Sequence, residues 1–230
     1  MTVMRGPEDR FPGFFVGDLP IEERRAIGNC EAALREATEY INQFRADLSL
    51  FDNCTAALDQ DHNLPTQTIN LYEDWVRLAG RDGAMTIYHF ASSLSGVNAW
   101  ANQSPSLRNV MNKSKIKEGF RLLNEYFPDY AKMRHAVAHE ADVTKSSKWQ
   151  KENVASGPYK GPGINIEGDS TTYVIKGLFQ NRTYTATFDG KIRTYELSVE
   201  TWEKMVSIKR SFYSAFRTHE GQPLPLLQPA

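Results

Sequence analysis

Apolar residues recur at alternating steps of three and four through Ile27, Cys30, Leu34, Ala37, Ile41, Phe44, Leu48 and Phe51. Charged residues such as Glu31, Arg35, Glu39 and Arg45 fall elsewhere on the same cylinder. A heptad-type stripe of this length predicts one long helix packed along a partner helix, and stripes of this kind also serve dimerisation. Asp18 and Pro20 supply an N-cap and a first-turn proline for its start. Residues 1–19, with three prolines, three glycines and the pair Phe14-Phe15 within the first twenty positions, predict an extended arm.

A polar break from Asp59 to Pro65 leads to a second helical region, Thr66 to Asn102. Ile69, Leu71, Trp75, Val76 and Ala79 mark its first half. The second half, Ala84 to Leu94, is apolar on several faces and so belongs in the middle of a bundle. Gly80 and Gly83 bracket Arg81-Asp82 and predict a kink or short turn. His89, inside the aromatic run Tyr88-His89-Phe90, reads as a hydrogen-bonded core or boundary residue. Ser104-Pro105-Ser106 opens the next region, where Ser114 is placed to cap a helix from Lys115 to Tyr126. Pro128 then restarts a helix that runs to about Ala141.

From 142 to 170 the periodicity is lost among Lys, Ser, Gly and Pro, which predicts a mobile surface loop. The period then becomes two. Strands are expected over Tyr173–Phe179, Thr183–Phe188 and Lys191–Leu197, turning at Gln180-Asn181-Arg182 and at Asp189-Gly190, the strongest short hairpin signal in the chain. An amphipathic helix over 198–217 follows, presenting Trp202, Met205, Ile208, Phe212 and Phe216, and a proline-rich tail occupies 218–230. The expected fold is mainly α: a helical bundle over 20–141 with a small three-stranded antiparallel β-meander, 171–197, inserted before the last helix. A sheet of that size needs support from the bundle, which argues for a single domain over 1–230.

Composition changes this picture little. The 230 residues carry a net charge of −1, so any site for a polyanion must be local. The N-terminus has charges and prolines where a signal peptide would have an apolar core, and no run reaches membrane-spanning length, which predicts a cytoplasmic protein without a membrane partner. Cys30 and Cys54 are too few for a disulfide scaffold and form no metal-type pair; Cys30, on the stripe, reads as a small core residue. Lys113, Lys115, Lys117 and Arg121 make the densest basic cluster, either a solvated helix face or a phosphate contact.

The chemistry concentrates in Arg134-His135-Ala136-Val137-Ala138-His139-Glu140. Arginine is a permanent planar cation suited to phosphate oxygens, and histidine exchanges protons near neutrality. On an ideal helix, residues five apart are rotated by about 140° and separated by roughly 7.5 Å, so Arg134 and His139 do not share a face. Two copies of the helix meeting across a two-fold axis would bring both residue types into one cleft. There histidine could take the proton of a ribose 2′-hydroxyl or protonate the leaving oxygen, and arginine could stabilise the charge on the phosphorus-bound oxygens, with no metal or other cofactor. Two other readings stand beside this one. His135 and His139, spaced i, i+4, could hold a metal ion with His89 or Glu140, or all three residues could make structural hydrogen bonds only.

The pattern Arg134-His135-x-x-x-His139 resembles the signature of the HEPN superfamily: an arginine, a polar residue, about three more positions and a histidine. The resemblance implies a HEPN-like helical bundle, commonly a homodimer, and in many members a metal-independent endoribonuclease of phage defence, RNA processing or toxin–antitoxin pairs. It implies Arg134 and His139 as the catalytic pair, His135 as the polar residue orienting them, RNA as substrate, and a cognate antitoxin or regulatory protein as a further partner. A HEPN-like module that binds RNA, a nucleotide or a protein without cleaving is the alternative. The meander at 171–197 is not a general feature of the superfamily.

Overall fold

The computed structural model describes residues 9–14, 16–17, 19–60, 63–138, 147–162 and 164–217. It is mainly helical, with a region of small antiparallel sheets before the last helix. In order come α1 (Ile21–Gln60), α2 (Thr66–Gln103), α3 (Pro105–Val110), α4 (Lys113–Tyr126), α5 (Tyr130–Ala138) and α6 (Ser147–Asn153). The strands are β1 (Ala155–Ser156), β2 (Tyr159–Gly161), β3 (Ile164–Ile166), β4 (Thr172–Tyr173), β5 (Leu178–Gln180), β6 (Thr183–Phe188) and β7 (Lys191–Glu196), and α7 (Val199–Ala215) follows them. Among the described residues no helix is long and apolar enough to cross a membrane. Contacts cluster into two compact units: residues 1–41, 89–128 and 203–230 form one, and 42–88 with 129–202 the other.

In the first unit the stripe positions Ile27, Cys30, Leu34, Ala37 and Ile41 are all buried, as are Phe90, Leu94 and Val97 of α2, Met205, Ile208 and Phe212 of α7, and Phe216 just after it. Burial and the neighbouring Glu31 push the Cys30 thiol up to about 12, which leaves it an inert core residue. Phe120 of α4 meets Phe212 edge-on at 5.2 Å. Between α1 and α7, Thr38 Oγ1 and Tyr213 OH share a hydrogen bond of 2.5 Å. The arm lies on this unit: Phe14 N donates to Glu31 Oε1 at 2.9 Å, and Asp9 takes both Nε and Nη2 of Arg210 at 3.0 and 2.8 Å. Asp18, the expected cap of α1, is outside the described residues. Ser104 caps α3, accepting from Leu107 N. The cap of α4 is Asn112 and not Ser114, because Asn112 Oδ1 reaches the backbone N–H of both Ser114 and Lys115, leaving Ser114 inside the first turn. In the basic cluster on α4, Lys115 and Arg121 are paired to Glu118 and Glu125 one turn on.

In the second unit the stripe continues through Phe44, Leu48 and Phe51, again buried, so the stripe of α1 is used within the chain along its whole length. Of the kink or short turn expected at Gly80–Gly83, the turn is absent, and α2 runs through these positions as helix. These glycines instead admit neighbours. A Cβ on Gly80 would stand 2.6 Å from the Phe179 ring, and one on Gly83 would stand 2.6 Å from Tyr195 OH. Tyr195 OH donates to the Gly80 carbonyl. The meander forms as β5-β6-β7, with type I′ geometry at both turns: positive φ at Asn181 (47°) and Arg182 (65°), and at Asp189 (54°) and Gly190 (68°).

The expected loop over 142–170 is corrected for its described part. Residues 147–153 form α6, β1 pairs with β4, and β2 pairs with β3 as a separate hairpin. Strands of two or three residues are too short to show a period, so their pairing is invisible in the pattern. For the same reason the first strand of the meander is shorter than expected. Tyr173 pairs with Ala155, Gly177 adopts φ 58°, and only 178–180 ladder onto β6.

One acidic pair in this unit joins a buried carboxyl to a half-buried one. Asp47 of α1 is 5% exposed, and Gln43 Nε2 donates to both Asp47 Oδ1 and Asp82 Oδ2 at 3.2 and 3.0 Å. Burial, and then the Asp82 carboxylate, push the Asp47 carboxyl up to about 7 from an ordinary 3.8. The native state therefore holds a proton that the unfolded chain releases between these two values, so stability falls as pH rises through that window and levels off above it. Thermal melts should show Tm decreasing from about pH 4 to about pH 7. Asp47→Asn should flatten that decline, and an equal decline in the variant would show that another group causes it. In the first unit, Gly119→Ala would set a Cβ 2.5 Å from the buried Phe212 ring. The gain in helix propensity, at most ~1 kcal/mol, is smaller than the overpacking cost of ~1–3 kcal/mol. A net loss of up to about 2 kcal/mol in denaturant unfolding is expected.

Candidate functional site

The motif helix α5 follows the Phe127-Pro128-Asp129 break, where Phe127 N still bonds the Leu123 carbonyl and closes α4. Proline cannot continue a helix through its missing N–H, and the chain restarts with Met133 N bonded to Asp129 O. The apolar positions Met133, Ala136 and Val137 are buried against Tyr184 and Ala186 of β6 and Ala84 of α2. Phe188 and Tyr195 complete the contact. Three buried positions in nine residues fix the rotation of α5, and therefore what its remaining positions present.

Two ion pairs tie the helix to the sheet. Asp129 Oδ1 accepts from Arg193 Nη1 of β7 at 2.6 Å, and Arg193 is only 7% exposed. Lys132 Nζ donates to Asp189 Oδ2 at 2.9 Å, at the β6–β7 turn, and this bond holds the Asp189 carboxyl below its ordinary range. The Asp189 backbone N–H donates to Asn153 Oδ1 of α6, so the turn is held from both sides.

Arg134 is half-buried. Its guanidinium carbon lies 5.3 Å from the centre of the Tyr88 ring, and its Nε is buried with no hydrogen-bond partner among the described residues. Tyr130, one turn before Arg134, lies with its ring centre 6.3 Å from that of Tyr88. His135 is exposed and stacks on Phe188, with ring centres 5.7 Å apart and planes within 11°. Arg134 Nη1 is 3.4 Å from His135 Nδ1. A guanidinium has only donors, so a hydrogen bond here has Nδ1 as its acceptor. Among the described residues, no carboxylate pairs with Arg134, although the neighbouring Lys132 and Arg193 both have one.

Two of the three residues singled out by the sequence, Arg134 and His135, are thus brought together. His139, and Glu140 from the alternative metal set, lie outside the described residues, as does the end of the helix expected at Ala141. His89 is half-buried and stacks on Tyr40 with ring centres 5.4 Å apart, which fits the boundary role read from its aromatic context. Among the described residues no three His, Cys, Asp or Glu side chains converge as a metal site would require. Tyr130, Tyr88 and Phe188 were missed as site residues. Tyr130 was legible, being four positions before Arg134 on the same helix face, but Tyr88 and Phe188 are 46 and 53 positions from the residues they touch. A groove of about 1200 Å³ in the same unit is lined by Phe51, Arg77, Lys176, Phe179 and Arg182 among others, and by no residue of α5.

Comparison of the chain with protein-family models, with curated proteins and with solved structures finds no match. The anchoring of α5 is testable without reference to activity. Asp129→Asn removes a carboxylate from a guanidinium that is almost fully buried, and hydrogen bonds to charged groups contribute about 1.5–3 kcal/mol. A loss of that size in unfolding free energy is expected, and a variant as stable as the parent would show that the pair is not an anchor.

Proposed function

We propose that the chain is a HEPN-like, metal-independent endoribonuclease that works as a cytoplasmic homodimer, in phage defence or a toxin–antitoxin pair with a cognate regulator. The observation that carries this reading is Arg134: a half-buried guanidinium resting on Tyr88, with no carboxylate partner among the described residues. An unneutralised, immobilised fork of donors suits a phosphodiester oxygen and costs little further ordering when the ligand arrives.

In this reading Arg134 holds the scissile phosphate and stabilises the charge that grows on its non-bridging oxygens. His139 exchanges the proton with the ribose 2′-hydroxyl or the leaving oxygen, and the second copy supplies the residue missing from each half of the cleft. His135, bonded to Arg134 and stacked on Phe188, positions the guanidinium and does not transfer protons itself. That engagement also favours the second reading, an RNA-binding module that uses Arg134 and His135 without cleavage.

Purified protein incubated with RNA in EDTA should cleave it, and Arg134→Ala and His139→Ala should each lower the rate by about a hundredfold or more. Equal rates in all three preparations, or no cleavage by any, would overturn the nuclease reading. Binding that weakens with salt, without cleavage, would establish the binding module instead.

A further inference from the structure

Resting on the RNA-directed reading of this site, we infer that Tyr130 selects unpaired nucleotides: a base stacks on the Tyr130 ring while its phosphate lies on Arg134. Both side chains leave the same face of α5, four positions and so about 6 Å apart along the axis. That is a span one nucleotide can bridge between its base and its phosphate. Tyr88 of α2 touches both, with its ring centre 6.3 Å from that of Tyr130 and 5.3 Å from the guanidinium carbon of Arg134. One ring thus braces both the stacking surface and the cation.

Tyr88, Tyr130 and Arg134 are all half-buried, so each keeps part of its surface exposed. None of the three belongs to the core cluster formed by Met133, Ala136, Val137, Tyr184 and Ala186. An aromatic face beside a cation without an acid partner is the combination that binds single-stranded nucleic acid, because every base has a π-face and a duplex hides it. The contrast with the groove in the same unit is instructive. Its arginines Arg77 and Arg182 are already paired with Asp74 and Asp52, so they offer no comparable charge.

Binding of a labelled, non-cleavable 2′-O-methyl RNA strand and of the same strand annealed to its complement separates the possibilities by fluorescence anisotropy. The full chain should bind the single strand more tightly than the duplex. Tyr130→Ala should weaken single-strand binding roughly tenfold while leaving its salt dependence unchanged, whereas Arg134→Ala should reduce that dependence. Tyr130→Phe keeps the ring and should restore the affinity, which separates stacking from a folding defect. Equal single-strand affinity in the parent, Tyr130→Ala and Tyr130→Phe would overturn the inference, as would equal binding of strand and duplex by the parent. Cleavage of unmodified RNA by the parent with that unchanged affinity keeps the nuclease reading and removes only the role of Tyr130. Loss of stacking in a protein that never cleaves keeps the role of Tyr130 and removes the nuclease.

Discussion

The burial of Met133, Ala136 and Val137 against Tyr184 and Ala186 is the contact on which the site depends. The described turns of α5 would be marginal by themselves in water, so the helix depends on the cover over its apolar face. The same burial sets its rotation, with Lys132 and His135 outward and Tyr130 and Arg134 at the boundary. The small meander is therefore structural support for the motif helix. Its role, open when only the pattern of residues is considered, follows from where Tyr184 and Ala186 point along β6. That strand pairs on both sides, and four consecutive residues, Tyr184 to Thr187, are buried.

Charge follows from that placement. The sheet brings Asp189 to Lys132, and α5 brings Asp129 to Arg193, so the surrounding cations and acids cancel in pairs. Arg134 is oriented towards an aromatic ring, a partner that stabilises the cation without neutralising it. A chain with a net charge of −1 can in this way hold a guanidinium that no carboxylate among the described residues neutralises, a feature its overall composition conceals. Asp47 and Asp82 illustrate the opposite arrangement in the same unit, two acids joined through Gln43, one of which holds its proton until neutrality. The two clusters differ in what burial demands. Desolvation forces the Asp47 carboxyl towards its neutral form, whereas a guanidinium cannot shed its proton and is held by a π-face instead.

The glycines of α2 show how local sequence signals are overruled. Gly80 and Gly83 read as a break in a helix, and each does weaken it. They persist in a continuous helix because Phe179 and Tyr195 of the sheet occupy the volume that side chains would need. The stripe on α1 is a second case. Its spacing suits a dimer seam as well as an internal contact, and its burial from Ile27 to Phe51 assigns it to the interior of the chain.

The long periodic elements were legible in the sequence. α1, α2, α4 and α7 repeat their apolar positions over several turns, and Asp189-Gly190 demands the positive φ values that make a hairpin. The arginine and histidine of the motif were also legible, since their chemistry belongs to the residues themselves. Only the tertiary structure decided what lies beyond the reach of periodicity. It revealed the ladders of two or three residues within 155–173, the cap at Asn112, and the filling of space beside Gly80. It also placed Tyr88 under Arg134 and Phe188 against His135. A helix or strand repeats its own signal along the chain, but a contact between residues some fifty positions apart, such as Tyr88 with Arg134 or Phe188 with His135, leaves none in either segment.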